Sequence, residues 1–87
     1  MLQYTTYILF SKSLDTYYIG FTGNRVTTRL AKHLAGHKGF TAKTKDWEIA
    51  YIEQYNTKSE AMQREKQLKA WKSKIRIKEL ISRKFAE

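Results

Sequence analysis

Tyr7, Tyr18, Arg29, His33 and Glu65 supply two phenols, a guanidinium, an imidazole and a carboxylate, the groups that acid–base and phosphate chemistry draw on. Ala61, Leu68, Trp71 and Ile75 mark the inward stripe of a helix, and Glu65 falls in its middle, four residues after Ala61 and three before Leu68. An inward carboxylate is costly unless it is paired or bound to a cation. One reading is therefore a salt bridge to Arg29 or Lys66, or an edge position that reaches water. The other is a carboxylate held inward to bind a metal ion. Arg29 and His33 lie one helical turn apart and border the apolar positions Val26 and Leu30. Alone they read as a solvated helix face, and Tyr7 and Tyr18 alone read as core or sheet-face aromatics.

Other chemistries are excluded. The 87 residues include no cysteine, which removes disulfides, zinc fingers and iron–sulfur clusters. His33 and His37 are four apart, but Leu34 stands where the HExxH zinc motif needs glutamate. No apolar run approaches the length of a membrane span, and the N-terminus has no basic region or small-residue cleavage site. The expectation is a soluble cytoplasmic protein with no membrane partner. The net charge of +9 favours a polyanion, most often nucleic acid. Residues 1–56 contribute 7 basic and 4 acidic side chains, residues 57–87 10 basic and 4 acidic.

Local pattern along the chain predicts the strands and helices that carry these side chains. Residues 4–10 are β-branched and aromatic and read as a strand, and residues 17–21 as a second, joined in an antiparallel hairpin. A four-residue loop from Ser11 to Leu14 sets Phe10 opposite Asp15 and Tyr7 opposite Tyr18. Asn24 fits an N-cap and Gly36 a stop for a helix over about 25–35. Trp47, Ile49, Tyr51, Glu53 and Tyr55 alternate, which predicts a third strand with these five on one face. Thr57 and Glu60 fit a capping box opening a helix over about 58–71. Ser73 caps a last helix over 74–84 that presents Ile77, Leu80 and Ile81, unless both segments form one bent helix. The order is β-β-α-β-α-α, one α+β domain over residues 1–87.

With these elements in place, the chain resembles the GIY-YIG nuclease superfamily over about residues 3–82. It is most similar to the small stand-alone bacterial members, which are like the N-terminal domain of the C component of the excision-repair nuclease. Tyr18-Ile19-Gly20 keeps the second half of the signature, and ten residues separate it from Tyr7, the last residue of Thr5-Thr6-Tyr7. Arg29-Leu30-Ala31-Lys32-His33 matches R-x-x-x-H, and Ser59 to Glu65 matches the segment ending in the metal-binding glutamate. Thr5 and Thr6 depart from the family's Gly and Ile, and Phe21-Thr22 lacks a lysine found after the repair domain's YIG.

The resemblance implies the GIY-YIG fold, a three-stranded antiparallel sheet flanked by three helices. It also implies a metal-dependent endonuclease that hydrolyses DNA phosphodiester bonds, with repair or recombination as its setting. Glu65 would hold Mg²⁺ or Mn²⁺, and Arg29 would donate to the phosphoryl oxygens. Tyr7, supported by Tyr18, would be the general base, and His33 a proton relay or a partner of the tyrosine hydroxyl. Lys43, Lys45, Lys66, Lys69, Lys72, Lys74 and Arg76 are the expected DNA contacts, with RNA left open. The alternative is a non-catalytic nucleic-acid-binding module that retains the fold.

Overall fold

The computed structural model describes residues 3–23, 25, 28, 30–31 and 44–86. Three strands, β1 (Tyr4–Ser11), β2 (Thr16–Thr22) and β3 (Glu48–Tyr55), form one antiparallel sheet in the order β2-β1-β3. Two helices follow, α1 (Lys58–Trp71) and α2 (Lys74–Ala86). Of the helix expected over 25–35, Thr28, Leu30 and Ala31 are helical. Asn24, Val26, Arg29, His33, Gly36 and Lys43 lie outside the described residues. The fold is α+β, as the sequence predicts.

The central strand β1 is buried on both faces, which is why its sequence is apolar and β-branched almost throughout. Tyr7 and Leu9 join Trp47 in one core cluster, with Tyr18, Leu30, Ile49 and Ile52 packed against it. Ile8 joins Leu68 and Ile77 in a second, on the helix side, with Tyr17, Ile19, Tyr51, Trp71, Leu80 and Ile81 around it. Thr6, also on that side, donates its hydroxyl to the Ala61 carbonyl at 2.8 Å. By the helical i→i−4 pattern the same carbonyl receives the Glu65 N–H. Thr6, one of the departures from the family signature, thus ties β1 to the turn of α1 that carries Glu65.

Three expectations need correction. The hairpin register is displaced by two residues: Tyr7 faces Gly20, Leu9 faces Tyr18 and Phe10 faces Tyr17. The turn is Lys12 to Asp15, with Asp15 in the left-handed region at φ 48° and its N–H bonded to the Lys12 carbonyl at 3.2 Å. Because side chains alternate with period two, the displacement leaves Tyr7 and Tyr18 on one face, now diagonal. Strand β3 does not alternate throughout: Tyr51 pairs with Ile8 but Ile49 with Leu9, which leaves Ala50 as the extra residue of a bulge. Ile49 and Trp47 therefore join the Tyr7 face, opposite Tyr51, Glu53 and Tyr55. Finally, Ile75 is 70% exposed and belongs to α2, not to the inward stripe of α1.

The helix junction explains that last point. Thr57 caps α1 by accepting the Glu60 N–H at 3.2 Å, and Ser73 accepts the Arg76 N–H at the start of α2. Between the helices Lys72 takes φ 47°, ψ 35°, a left-handed conformation that ends α1. Glycine is the usual residue there, and a side chain costs roughly 1–2 kcal/mol.

The hairpin turn is fixed to the segment before β3. Asp46 accepts from the Ser11 hydroxyl at 2.6 Å, the Ser13 N–H at 2.9 Å and the Thr44 hydroxyl at 2.9 Å. These bonds, Ser11's first, hold the Asp46 carboxyl well below the usual carboxylate range.

Candidate active site

Tyr7 sits in the middle of β1 and is 1% exposed. Its ring occupies the space beside Gly20. A Cβ built on Gly20 would stand 2.5 Å from Tyr7 Oη and 2.7 Å from Cζ, so only glycine fits opposite this tyrosine. Tyr18, half-buried on β2, meets Trp47 edge-on at 6.3 Å between centroids. Leu30, the sequence neighbour of Arg29, packs on the same cluster.

Glu65 lies on α1, the helix that packs against the Ile8 face of the sheet. Its side chain is 16% exposed, between buried Ala61 and Leu68, and it pairs with Lys69 Nζ at 3.5 Å. Lys69 Nζ in turn lies 6.0 Å from the centre of the Tyr18 ring. Lys69 therefore stands between Glu65 on α1 and Tyr18 on β2, which belong to opposite faces of the sheet. The described partner of Glu65 is Lys69, one turn on, and not Lys66.

Glu65 offers a hard oxygen donor, the type Mg²⁺ and Mn²⁺ take. Among the described residues no group of three or more His, Cys, Asp or Glu surrounds a common point. Any ion here would hold one carboxylate and complete its shell with water and phosphate, a normal arrangement for Mg²⁺. The residues fit such an ion, with Lys69 as a competing cation.

Of the expected DNA contacts, Lys45, Lys66, Lys69, Lys72, Lys74 and Arg76 are all exposed. Lys69, Lys72 and Lys74 line one cleft beside Tyr18. Arg76 instead stacks on Trp71, 4.4 Å from the ring centre, and Lys45 lies three residues before β3.

A second acid, Glu53, is one that the sequence reading does not single out. On β3 it accepts from Tyr51, from Tyr55 at 2.6 Å and from Arg64 Nε at 2.8 Å. Burial pushes its carboxyl up, but the bonds from Arg64, Tyr51 and Tyr55 outweigh that and hold it below its ordinary range. Tyr51 and Tyr55 are pushed up to about 12, by burial first and by Glu53 next. Saturated by three donors, Glu53 anchors α1 to β3. The signal for it is the period-two run Tyr51, Glu53, Tyr55, with an arginine immediately before Glu65.

The GIY-YIG catalytic domain family matches residues 3–79. The chain belongs to the GIY-YIG family. Among solved structures it is similar to the solution NMR structure of a UPF0213 protein from Bacillus halodurans, at 27% identity and TM-score 0.57, covering 93% of this chain and 84% of that one. No curated protein matches it. The GIY-YIG family is a nuclease superfamily, which makes nucleic acid the substrate class. Its signature also acquires a physical reading here: the glycine of Tyr18-Ile19-Gly20 leaves the space that the Tyr7 ring fills. No helix among the described residues is long and apolar enough to cross a membrane.

Proposed function

We propose that this GIY-YIG protein is a divalent-metal-dependent endonuclease that hydrolyses DNA phosphodiester bonds. The observation that carries the reading is the sequence of contacts from Glu65 through Lys69 to Tyr18. It links an acid on a helix to a tyrosine of the sheet, 47 positions apart in the chain, through one intervening lysine, which supports the reading.

In this reading Glu65 holds Mg²⁺ or Mn²⁺, which when bound supplies charge stabilisation at the phosphoryl oxygens and the leaving 3′-oxygen. Arg29 donates to the phosphoryl oxygens, since its guanidinium stays charged and matches phosphate geometry. Tyr7 takes the proton from the attacking water, Tyr18 supports it, and His33 relays the proton. A free tyrosine is only about one part in a thousand ionised at neutral pH. In this reading a cation beside the attacking water is what makes proton transfer to a phenol feasible. The exposed lysines contact backbone phosphates without reading sequence, so binding weakens steeply with salt.

The test is cleavage of linear, flapped and branched DNA with Mg²⁺, Mn²⁺ or chelator, by the parent and by Glu65→Gln. Metal-dependent cuts that vanish in a folded Glu65→Gln protein support the reading. Equal cleavage by both proteins would refute it. DNA retention without metal-dependent turnover in the parent would instead make the chain a binding module.

A further inference from the structure

Thr6 and Glu53 are direct partners across β1 and β3, so their side chains rise side by side from one face of the sheet, the face that α1 covers. Each holds α1 at a different point. Thr6 Oγ1 donates to the Ala61 carbonyl at 2.8 Å. Glu53 accepts from Arg64 Nε at 2.8 Å on one oxygen and from Arg64 Nη2 at 3.2 Å on the other. Such a two-pronged pair fixes the plane of the guanidinium as well as its distance. Ala61 and Arg64 stand on successive turns of the helix, and Glu65 follows Arg64 directly.

The packing of Leu68 on Ile8 draws α1 onto the sheet, but apolar contact has no direction. Direction comes from the two polar contacts. Ala61 is 0% exposed, and its short side chain lets the helix backbone approach the strand. Thr6 is 1% exposed, and a buried hydroxyl is costly unless it is bonded, so its bond to Ala61 is what makes a threonine suitable there. The same carbonyl is the one that receives the Glu65 N–H in the helical pattern. One contact grips the helix backbone and the other a side chain on the next turn. Rolling or sliding α1 over the sheet therefore breaks at least one of them.

Glu65 itself is guided less firmly. Its ion pair with Lys69, at 3.5 Å, goes to a half-exposed ammonium on a flexible stem. The aim of its carboxylate thus depends on where α1 is held. We infer that Thr6 and Glu53 act together as positioning residues for Glu65, fixing the turn from which its carboxylate projects. The inference rests on the proposed function for the use of that carboxylate, and it adds two residues that touch neither metal nor substrate.

The experiment compares the parent with Thr6→Val, Thr6→Ser, Glu53→Gln and Ile8→Val by NMR. Thr6→Val keeps the shape and removes the hydroxyl, and Thr6→Ser keeps the hydroxyl. Ile8→Val loosens the same face without touching either polar contact, and so controls for lost stability. Without metal, three-bond couplings to the Glu65 side chain should report one dominant χ1 rotamer in the parent and averaging in Thr6→Val and Glu53→Gln. With Mn²⁺, the concentration that half-broadens the resonances of Glu65 should rise about fivefold in both variants, less than the roughly 10–100-fold typical of groups bonded directly to a ligand. Thr6→Ser should restore both readouts, and Ile8→Val should move neither. Unchanged Glu65 couplings in folded Thr6→Val or folded Glu53→Gln, or an equal change in Ile8→Val, overturn the inference. Averaged couplings in both variants, together with Mn²⁺ broadening that persists in Glu65→Gln, uphold the positioning and overturn the metal role of Glu65 instead.

Discussion

The Tyr7 ring fills the place a side chain at Gly20 would take: a methyl group at residue 20 would lie only 2.5 Å from the phenol oxygen. Gly20→Ala should therefore cost about 2 kcal/mol and lower Tm by roughly 10 °C, seen by circular dichroism. In a Tyr7→Ala background the same substitution should cost little, because the obstructing ring is gone. A double-mutant cycle measures the difference.

Tyr7→Phe removes one oxygen and leaves the packing over Gly20 intact. If Tyr7 is the base, kcat on a DNA substrate should fall by about 10²-fold or more with Tm preserved. Tyr18→Phe should cost less. The reverse order would transfer the base role to Tyr18.

Lys69 competes for the Glu65 carboxylate at 3.5 Å. Lys69→Met should lower the Mg²⁺ concentration for half-maximal cleavage by about two- to fivefold, since a half-exposed ion pair is worth under about 1 kcal/mol. A magnesium titration of both proteins reads this directly.

The Glu53 cluster sets two limits on stability against pH. The folded-state pKa of Glu53 lies below its unfolded value, so its contribution is present above about pH 4 and is lost as pH falls through the folded value. Tyr51 and Tyr55 are raised to about 12 when folded, so their contribution is present below about pH 10 and is lost as pH climbs toward 12. Urea melts across pH should show both losses. Glu53→Gln should weaken both and cost about 2 kcal/mol at neutral pH, because Arg64 loses its charged acceptor.

Most of the elements are legible in the sequence because each carries its own local signal. β-Branched and aromatic runs announce the strands, and Thr57 and Ser73 announce the starts of α1 and α2. The hairpin register departs from expectation by two because the turn's left-handed Asp15 is not a spacing signal, yet the faces survive because the pleat repeats every two residues. The bulge at Ala50 is invisible: Trp47, Ile49 and Tyr51 look regular, and only pairing with β1 separates them. At the site, the misplaced charge of Glu65 gives it away. Its partner Lys69 has no such mark, because helix rotation and neighbouring surfaces choose among nearby lysines. Asp46 gathers Ser11, Ser13 and Thr44, a contact between distant segments that no local pattern encodes.

Strand β1 supplies Tyr7 and Leu9 to one cluster and Ile8 to the other, so neither half of the molecule keeps a core without it. Opening either half exposes β1 and releases the opposite one, which leaves no half-folded state to rest in. Its amides should exchange with solvent only when the whole chain unfolds, and one cooperative transition should release the tyrosines and the helix bearing Glu65 together.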